Sequence, residues 1–187
     1  MKTGQKLFIN DYLNEAEGFL YEIIDGEKTV TPAPLFEHQN LSKKLFRIFD
    51  RYVEENKLGT ILYAPFDVIL DKENVVQPDI LFIANENLNK IKGQFWGTPD
   101  LVIEIISSSS KYLDNVKKKE LYQRFGVKEY WLVDPKYRNI EVFTLDETGN
   151  FKLHAEEYID EVNLEAKKVI TSGFFENFEI SLNDIFN

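Results

Sequence analysis

The chain has no cysteine among its 187 residues, which excludes disulfides, thiolate metal sites and cysteine nucleophiles. Its two histidines, His38 and His154, are too few for an all-histidine zinc site. Any metal would therefore be bound mainly by oxygen, which favours magnesium or manganese. No long uncharged apolar run is present to span a membrane, and the opening Met1-Lys2-Thr3-Gly4-Gln5-Lys6 leads into an amphipathic segment rather than a signal-peptide core. A soluble, cytoplasmic protein is expected. Positive charge is in deficit, with 22 Lys and Arg against 32 Asp and Glu and a formal charge of −10. That balance opposes indiscriminate nucleic-acid binding, because affinity for phosphate rests on clustered lysine and arginine.

Against these absences, 43% hydrophobic and 14% aromatic content can fill one sizeable core, and a single domain over residues 1–187 is expected. Charge is unevenly spread. Between Lys111 and Arg138 eight basic residues face four acidic ones, a run that composition alone reads as a solvated helix face.

The pattern predicts a mixed α/β (α+β) order. Asn10 or Asp11 could cap a short first helix, and Phe19–Ile24 and Lys28–Thr31 flank the hairpin signal Asp25-Gly26. Leu41, Leu45, Ile48, Phe49 and Tyr52 recur at helical spacing, predicting a helix from Phe36 to Asn56 that ends before Gly59. Strands are predicted at Thr60–Ala64, Phe66–Leu70, Val75–Ala84, Asp100–Ile106, Glu129–Val133, Ile140–Leu145 and Phe151–Tyr158. A helix is predicted over Ser110–Phe125, stopping at Gly126, and a last helical turn over Leu182–Phe186.

The most informative residue is Glu104, a carboxylate inside the strand-like run Leu101-Val102-Ile103-Glu104-Ile105-Ile106. Burying an ionised carboxylate costs several kcal/mol, so it needs a metal or a buried cation beside it. Alternation places Asp100, Val102, Glu104 and Ile106 on one face, and Gln77, Asp79, Leu81 and Ile83 on one face of the preceding strand. On the following helix Lys118 projects towards Leu121, Tyr122 and Phe125, whereas Lys119 points nearly opposite. Two acids on neighbouring strands and one lysine are the minimal set for metal-dependent phosphodiester hydrolysis.

These segments resemble the PD-(D/E)XK nuclease superfamily, and more closely the bacterial Uma-two family of restriction endonucleases. The resemblance runs through Tyr21-Glu22-Ile23-Ile24-Asp25-Gly26, Pro34, His38, Gln77-Pro78-Asp79-Ile80, Pro99-Asp100-Leu101-Val102-Ile103-Glu104-Ile105, Asp114 to Tyr122 and Gly126-Val127-Lys128-Glu129-Tyr130-Trp131-Leu132-Val133-Asp134-Pro135. It implies a restriction-endonuclease-like core, with a central mixed sheet flanked by helices, an N-terminal hairpin and additional C-terminal strands. It also implies a DNA substrate, Mg²⁺ or Mn²⁺ as cofactor, Asp79 and Glu104 as metal-binding acids and the Ile105 carbonyl as a further ligand. One position departs from the superfamily: its lysine lies two residues after the second acid, where this chain has Ile106. Families of this kind supply the lysine from the next helix, which selects Lys118.

Each residue also has a plainer reading. Asp79 could bond a neighbouring loop, Glu104 could form a structural salt bridge with Lys118, and Lys118 could belong to a solvated lysine run. Glu22 could complete the site or make a cross-strand pair. His38 and Gln77 could orient other groups, Asp114 could hold Lys118 as an i,i+4 partner, and Tyr130 and Trp131 read as core. Three functions remain open: a DNA endonuclease, working as a homodimer if both strands are cut; a catalytically inactive nucleic-acid- or protein-binding module; and an oligomerising domain presenting Phe174, Phe175, Phe178 and Phe186.

Overall fold

The computed structural model describes residues 6–14, 21–30, 33–107, 113–159 and 168–187. The first helix, α1 (Ile9–Asn14), leads to a hairpin of β1 (Tyr21–Ile24) and β2 (Glu27–Val30). Asp25 and Gly26 at its turn both take positive φ, 53° and 79°, as a tight two-residue hairpin turn requires. The long helix α2 (Phe36–Asn56) has the bounds its apolar spacing predicts, and Leu41, Leu45, Phe49 and Val53 form its buried stripe.

The main sheet is ordered β12-β11-β10-β9-β6-β3, with β3 (Gly59–Tyr63), β6 (Ile80–Ala84), β9 (Leu101–Ile105), β10 (Glu129–Asp134), β11 (Asn139–Leu145) and β12 (Phe151–Tyr158). Among the described residues of this sheet only β9 and β10 pair in parallel; its other pairs are antiparallel. At the start of β3, a Cβ on Gly59 would lie 2.1 Å from the Ile83 carbonyl oxygen, so glycine permits this close strand approach. A second six-stranded sheet, β2-β1-β5-β4-β8-β7, adds β4 (Val68–Ile69), β5 (Val75–Val76), β7 (Ile91–Lys92) and β8 (Gln94–Trp96). Near the C-terminus β13 (Val169–Thr171) pairs with β14 (Glu179–Ser181), followed by α4 (Leu182–Phe186).

The central strands β6, β9 and β10 are buried on both faces of the main sheet. Leu101, Ile103 and Ile105 pack with the apolar stripe of α2, while Val102 and Ile106 join Leu121, Tyr122 and Tyr130 on the other side. Tyr130 and Trp131 are core residues, as expected. The C-terminal phenylalanines are not an exposed docking face. Phe175 and Phe178 are buried, Phe174 and Phe186 partly so, and Phe178 packs on Phe49 with ring centroids 4.7 Å apart.

Two predicted elements change, and others are added. The strand Val75–Ala84 is broken: β5 ends at Val76, and the chain passes from the smaller sheet into the main sheet across Gln77-Pro78-Asp79. Pro78 has no N–H to continue a ladder, which places the break there. The predicted Ser110–Phe125 helix is a π-helical turn, Leu113–Lys118, continued by α3 (Lys119–Phe125), with residues 110–112 outside the described ones. Strands β7 and β8, the 3-10 turn Asn85–Lys90, β13 and β14 were not anticipated by the pattern. Among the described residues no helix is long and apolar enough to cross a membrane.

Candidate active site

The acids of interest come from different elements. Glu22 lies on β1, Asp79 directly before β6 and Glu104 near the end of β9. Alternation along β9 turns Glu104 away from the α2 side and towards α3, where it is 3% exposed.

Lys118, at the last position of the π-helical turn, is 5% exposed. Its Nζ is 2.9 Å from Glu22 Oε1 and 3.0 Å from Glu104 Oε1. One ammonium thus bridges two buried carboxylates from two sheets. Tyr122, one turn further along α3, donates its hydroxyl to the same Glu104 oxygen at 2.7 Å. Burial, and then the nearby Glu104 and Glu22 charges, hold the Tyr122 phenol well above its usual pKa, so it stays a donor. Tyr122 escaped selection as a site residue because its helical phase also suits a core aromatic, and it is both.

Asp79 belongs to the adjoining part of the cluster. Its Oδ2 accepts the Ile105 backbone N–H at 2.7 Å and lies 3.1 Å from His38 Nε2. Asp79 is thereby tied to the residue after Glu104, and His38, in the first turn of α2, orients it. Ile105 reaches this cluster through its amide. Gln77 contributes mainly through its backbone N–H, which donates to Glu22 Oε1 at 2.8 Å. The Gln77 side chain turns instead to Asp67, donating to Oδ1 at 2.7 Å, an oxygen that also accepts the Tyr12 hydroxyl at 2.7 Å. The Asp114 side chain lies outside the described residues, so its expected pairing with Lys118 is not seen here.

Lys119 does not point freely to solvent. Its ammonium lies 3.3 Å from the Phe143 ring centroid, and burial lowers its pKa. The wider basic run is largely spent on internal pairs: Lys117 with Glu27 at 3.1 Å, Arg124 with Asp25 at 2.6 Å and Lys128 with Asp100 at 2.8 Å. Asp100 is structural, as it also accepts the Ala84 N–H at 2.9 Å and the Asn87 amide at 3.1 Å.

The donor chemistry suits a hard divalent cation. Asp79, directly before β6, and Glu104, on the adjacent β9, carry carboxylate oxygens, and the buried Glu22 Oε2 has no hydrogen-bond partner among the described residues. No group of three or more His, Asp and Glu side chains among the described residues is placed to hold a metal ion. Magnesium needs no such cage, since it commonly keeps several waters and takes one or two carboxylates.

The fold is thus a mixed sheet between helices, with Asp79 and Glu104 at its strand ends and Lys118 facing Glu104 and Glu22 from the next helix. The crystal structure of a putative nuclease of the DUF820 group from Anabaena variabilis matches it with a TM-score of 0.77, over 96% of this chain and 97% of that chain, at 16% identity. At that identity the likeness shows a shared fold. The family model Uma2, described as a putative restriction endonuclease, matches residues 9–183, and the chain belongs to that family. No curated protein matches it.

Proposed function

We propose that this protein is a metal-dependent endonuclease acting on DNA, with Asp79 and Glu104 holding Mg²⁺ or Mn²⁺ and Lys118 assisting attack by water. The observation that carries the reading is the convergence of Lys118 on Glu104 and Glu22, from an α3-side position rather than from Ile106. Membership of the Uma2 family supports it. A bound divalent cation would polarise the phosphate and lower the pKa of a coordinated water. Asp79 and Glu104 would hold that ion, with the Ile105 carbonyl as a further oxygen donor. Lys118 would orient the water and offset charge gathering on the phosphate, a role for which its proximity to Glu104 prepares it. His38 fixes Asp79, the Gln77 amide fixes Glu22, and Tyr122 fixes Glu104. Dimerisation would give the two-fold arrangement needed to cut both strands.

A second reading is favoured by the same ion pairs. Lys118 already pairs with one oxygen of each carboxylate in the manner of a structural network, which is what a non-cutting binding module on this scaffold would retain. The deciding experiment incubates supercoiled and linear DNA with purified protein in Mg²⁺, Mn²⁺ or EDTA, beside folded Glu104→Ala and Lys118→Ala variants. Metal-dependent nicking lost in both variants establishes the endonuclease. Cutting lost only in Glu104→Ala keeps the metal site and sends the search for the lysine to Lys117 or Lys119. Absence of cutting across varied DNA favours the binding module.

A further inference from the structure

Two acids of the site depend on one short stretch of chain. The Gln77 backbone N–H donates to Glu22 Oε1 at 2.8 Å, and Asp79 follows two residues later. Pro78 between them has a fixed φ and confines Gln77 to extended backbone, so the stretch moves as a stiff unit. Whatever orients Gln77 therefore orients both the donor to Glu22 and the Asp79 carboxylate. The Asp79 end is tied by its own carbonyl, which accepts the Ala64 N–H at 3.0 Å. The Gln77 end is tied by its side chain, and that grip comes from outside the charged cluster.

Gln77 Nε2 donates to Asp67 Oδ1 at 2.7 Å, and the Tyr12 hydroxyl donates to the same oxygen at 2.7 Å. Nε2 also lies 3.3 Å from the Tyr12 hydroxyl, closing a triangle of Tyr12, Asp67 and Gln77. Asp67 is itself anchored: it stands directly before β4, and its carbonyl accepts the Phe95 N–H at 3.0 Å. Tyr12, from α1, sets its ring edge-on against Tyr21, the residue before Glu22, with centroids 4.9 Å apart. Burial, and then the Asp67 carboxylate, raise the Tyr12 phenol above its usual pKa and keep it a donor. Hydrogen bonds to an ionised carboxylate are shorter and about twice as strong as neutral ones, so a charged acceptor grips Gln77 more stiffly than an amide would.

We infer that Asp67 and Tyr12 are positioning residues for the active-site acids, setting through Gln77 where Glu22 and Asp79 stand. Their effect passes through Gln77 because their side-chain hydrogen bonds run to each other and to it. This assignment rests on the metal-site reading above and adds two residues outside the charged cluster on which that site depends.

The test combines amide hydrogen exchange by NMR at Gln77 and Ile105, whose N–H groups donate to Glu22 and Asp79, with Mn²⁺ affinity by titration calorimetry. Wild type is compared with Asp67→Ala, with Tyr12→Phe and with Asp67→Asn, which keeps an acceptor oxygen. Tyr52→Phe is the control, since it removes a hydroxyl bonded at 2.6 Å to the Glu176 carbonyl between β13 and β14. In Asp67→Ala, exchange at Gln77 is expected to quicken by about tenfold or more beyond any change along β10, the factor that a lost bond to a charged group represents. Ile105 should move in the same direction. Mn²⁺ affinity should fall by about 10–100-fold, the usual effect of removing a group that orients metal ligands. Tyr12→Phe should shift both readouts the same way by less, Asp67→Asn should recover most of both, and Tyr52→Phe should move neither. Exchange that only follows β10, the same change in Tyr52→Phe, or Mn²⁺ binding by wild type that survives unchanged in Asp67→Ala overturns the inference. If wild type binds no Mn²⁺ while Asp67→Ala still selectively frees the two amides, the metal-dependent reading fails and the positioning role stands.

Discussion

Tyr122 and Lys118 converge on a single oxygen of Glu104, the phenol at 2.7 Å and the ammonium at 3.0 Å. Both donors are buried, so neither is readily replaced by water. Tyr122→Phe removes one donor and leaves the ring packing intact. Hydrogen bonds to charged groups contribute about 1.5–3 kcal/mol, and a loss of that order is expected in urea unfolding. A variant as stable as wild type would show that the Tyr122 hydroxyl is incidental.

Lys118→Met has a larger expected cost, because it leaves Glu22 and Glu104 buried without their shared cation. Removing one partner of a buried pair typically costs about 3–5 kcal/mol. If the acids accept a divalent ion, Mn²⁺ should restore part of that loss, by about 2.7 kcal/mol at a hundredfold excess over Kd. Thermal unfolding with and without Mn²⁺ measures it. A deficit indifferent to Mn²⁺ would argue that the cluster is a salt bridge and nothing more.

Glu129 and Asp100 should leave opposite signatures in pH. Burial raises Glu129 above its ordinary 4.5, despite bonds from Ser172, Trp131 and the Gly173 and Phe174 amides. Its contribution is therefore complete below that value and lost as pH rises through the raised pKa. For Asp100 burial is the largest single influence and opposes ionisation, yet the bonds from Lys128, Ala84 and Asn87 together bring it below 3.8. Its contribution is present above 3.8 and lost as pH falls through the lowered pKa. Glu129→Gln cannot ionise, so any deficit it shows against wild type should shrink as pH rises above 4.5, whereas the deficit of Asp100→Asn should shrink as pH falls below 3.8. Urea unfolding of each variant across pH checks both directions, and parallel curves would refute them.

The pair Arg124–Asp25 is short, at 2.6 Å, but its side chains are 53% and 59% exposed. Such pairs contribute about 0–1 kcal/mol. Arg124→Gln should therefore lie within about 1 kcal/mol of wild type. A larger loss in chemical denaturation would mean that this contact fastens the β1-β2 hairpin to α3.

Where a single local rule governs an element, the sequence was readable. The α2 stripe repeats at helical spacing, Asp25-Gly26 marks its hairpin, and alternation along β9 puts Glu104 opposite Leu101, Ile103 and Ile105. Elements set by long-range pairing were not. β13 and β14 are three residues each, too short to carry a period, and the loop between them is held by Glu129, whose oxygens accept the Ser172 hydroxyl and the Gly173 and Phe174 amides. The gathering of Glu22, Glu104 and Lys118 was expected in part, yet the Tyr122 bond and the tie from Asp79 to the Ile105 amide depend on how strands and helix dock. Helical phase alone carries no information about a partner across the sheet.

The crossing at Gln77-Pro78-Asp79 also bears on how the molecule assembles. Glu22 arrives with the smaller sheet and Glu104 with the main one, while Lys118 comes from the segment between β9 and β10. No contiguous half of the chain holds the whole charged cluster. The two carboxylates are brought together only as the sheets dock, and their neutralising ammonium must be present when water leaves, so desolvation of this cluster belongs among the late events of folding.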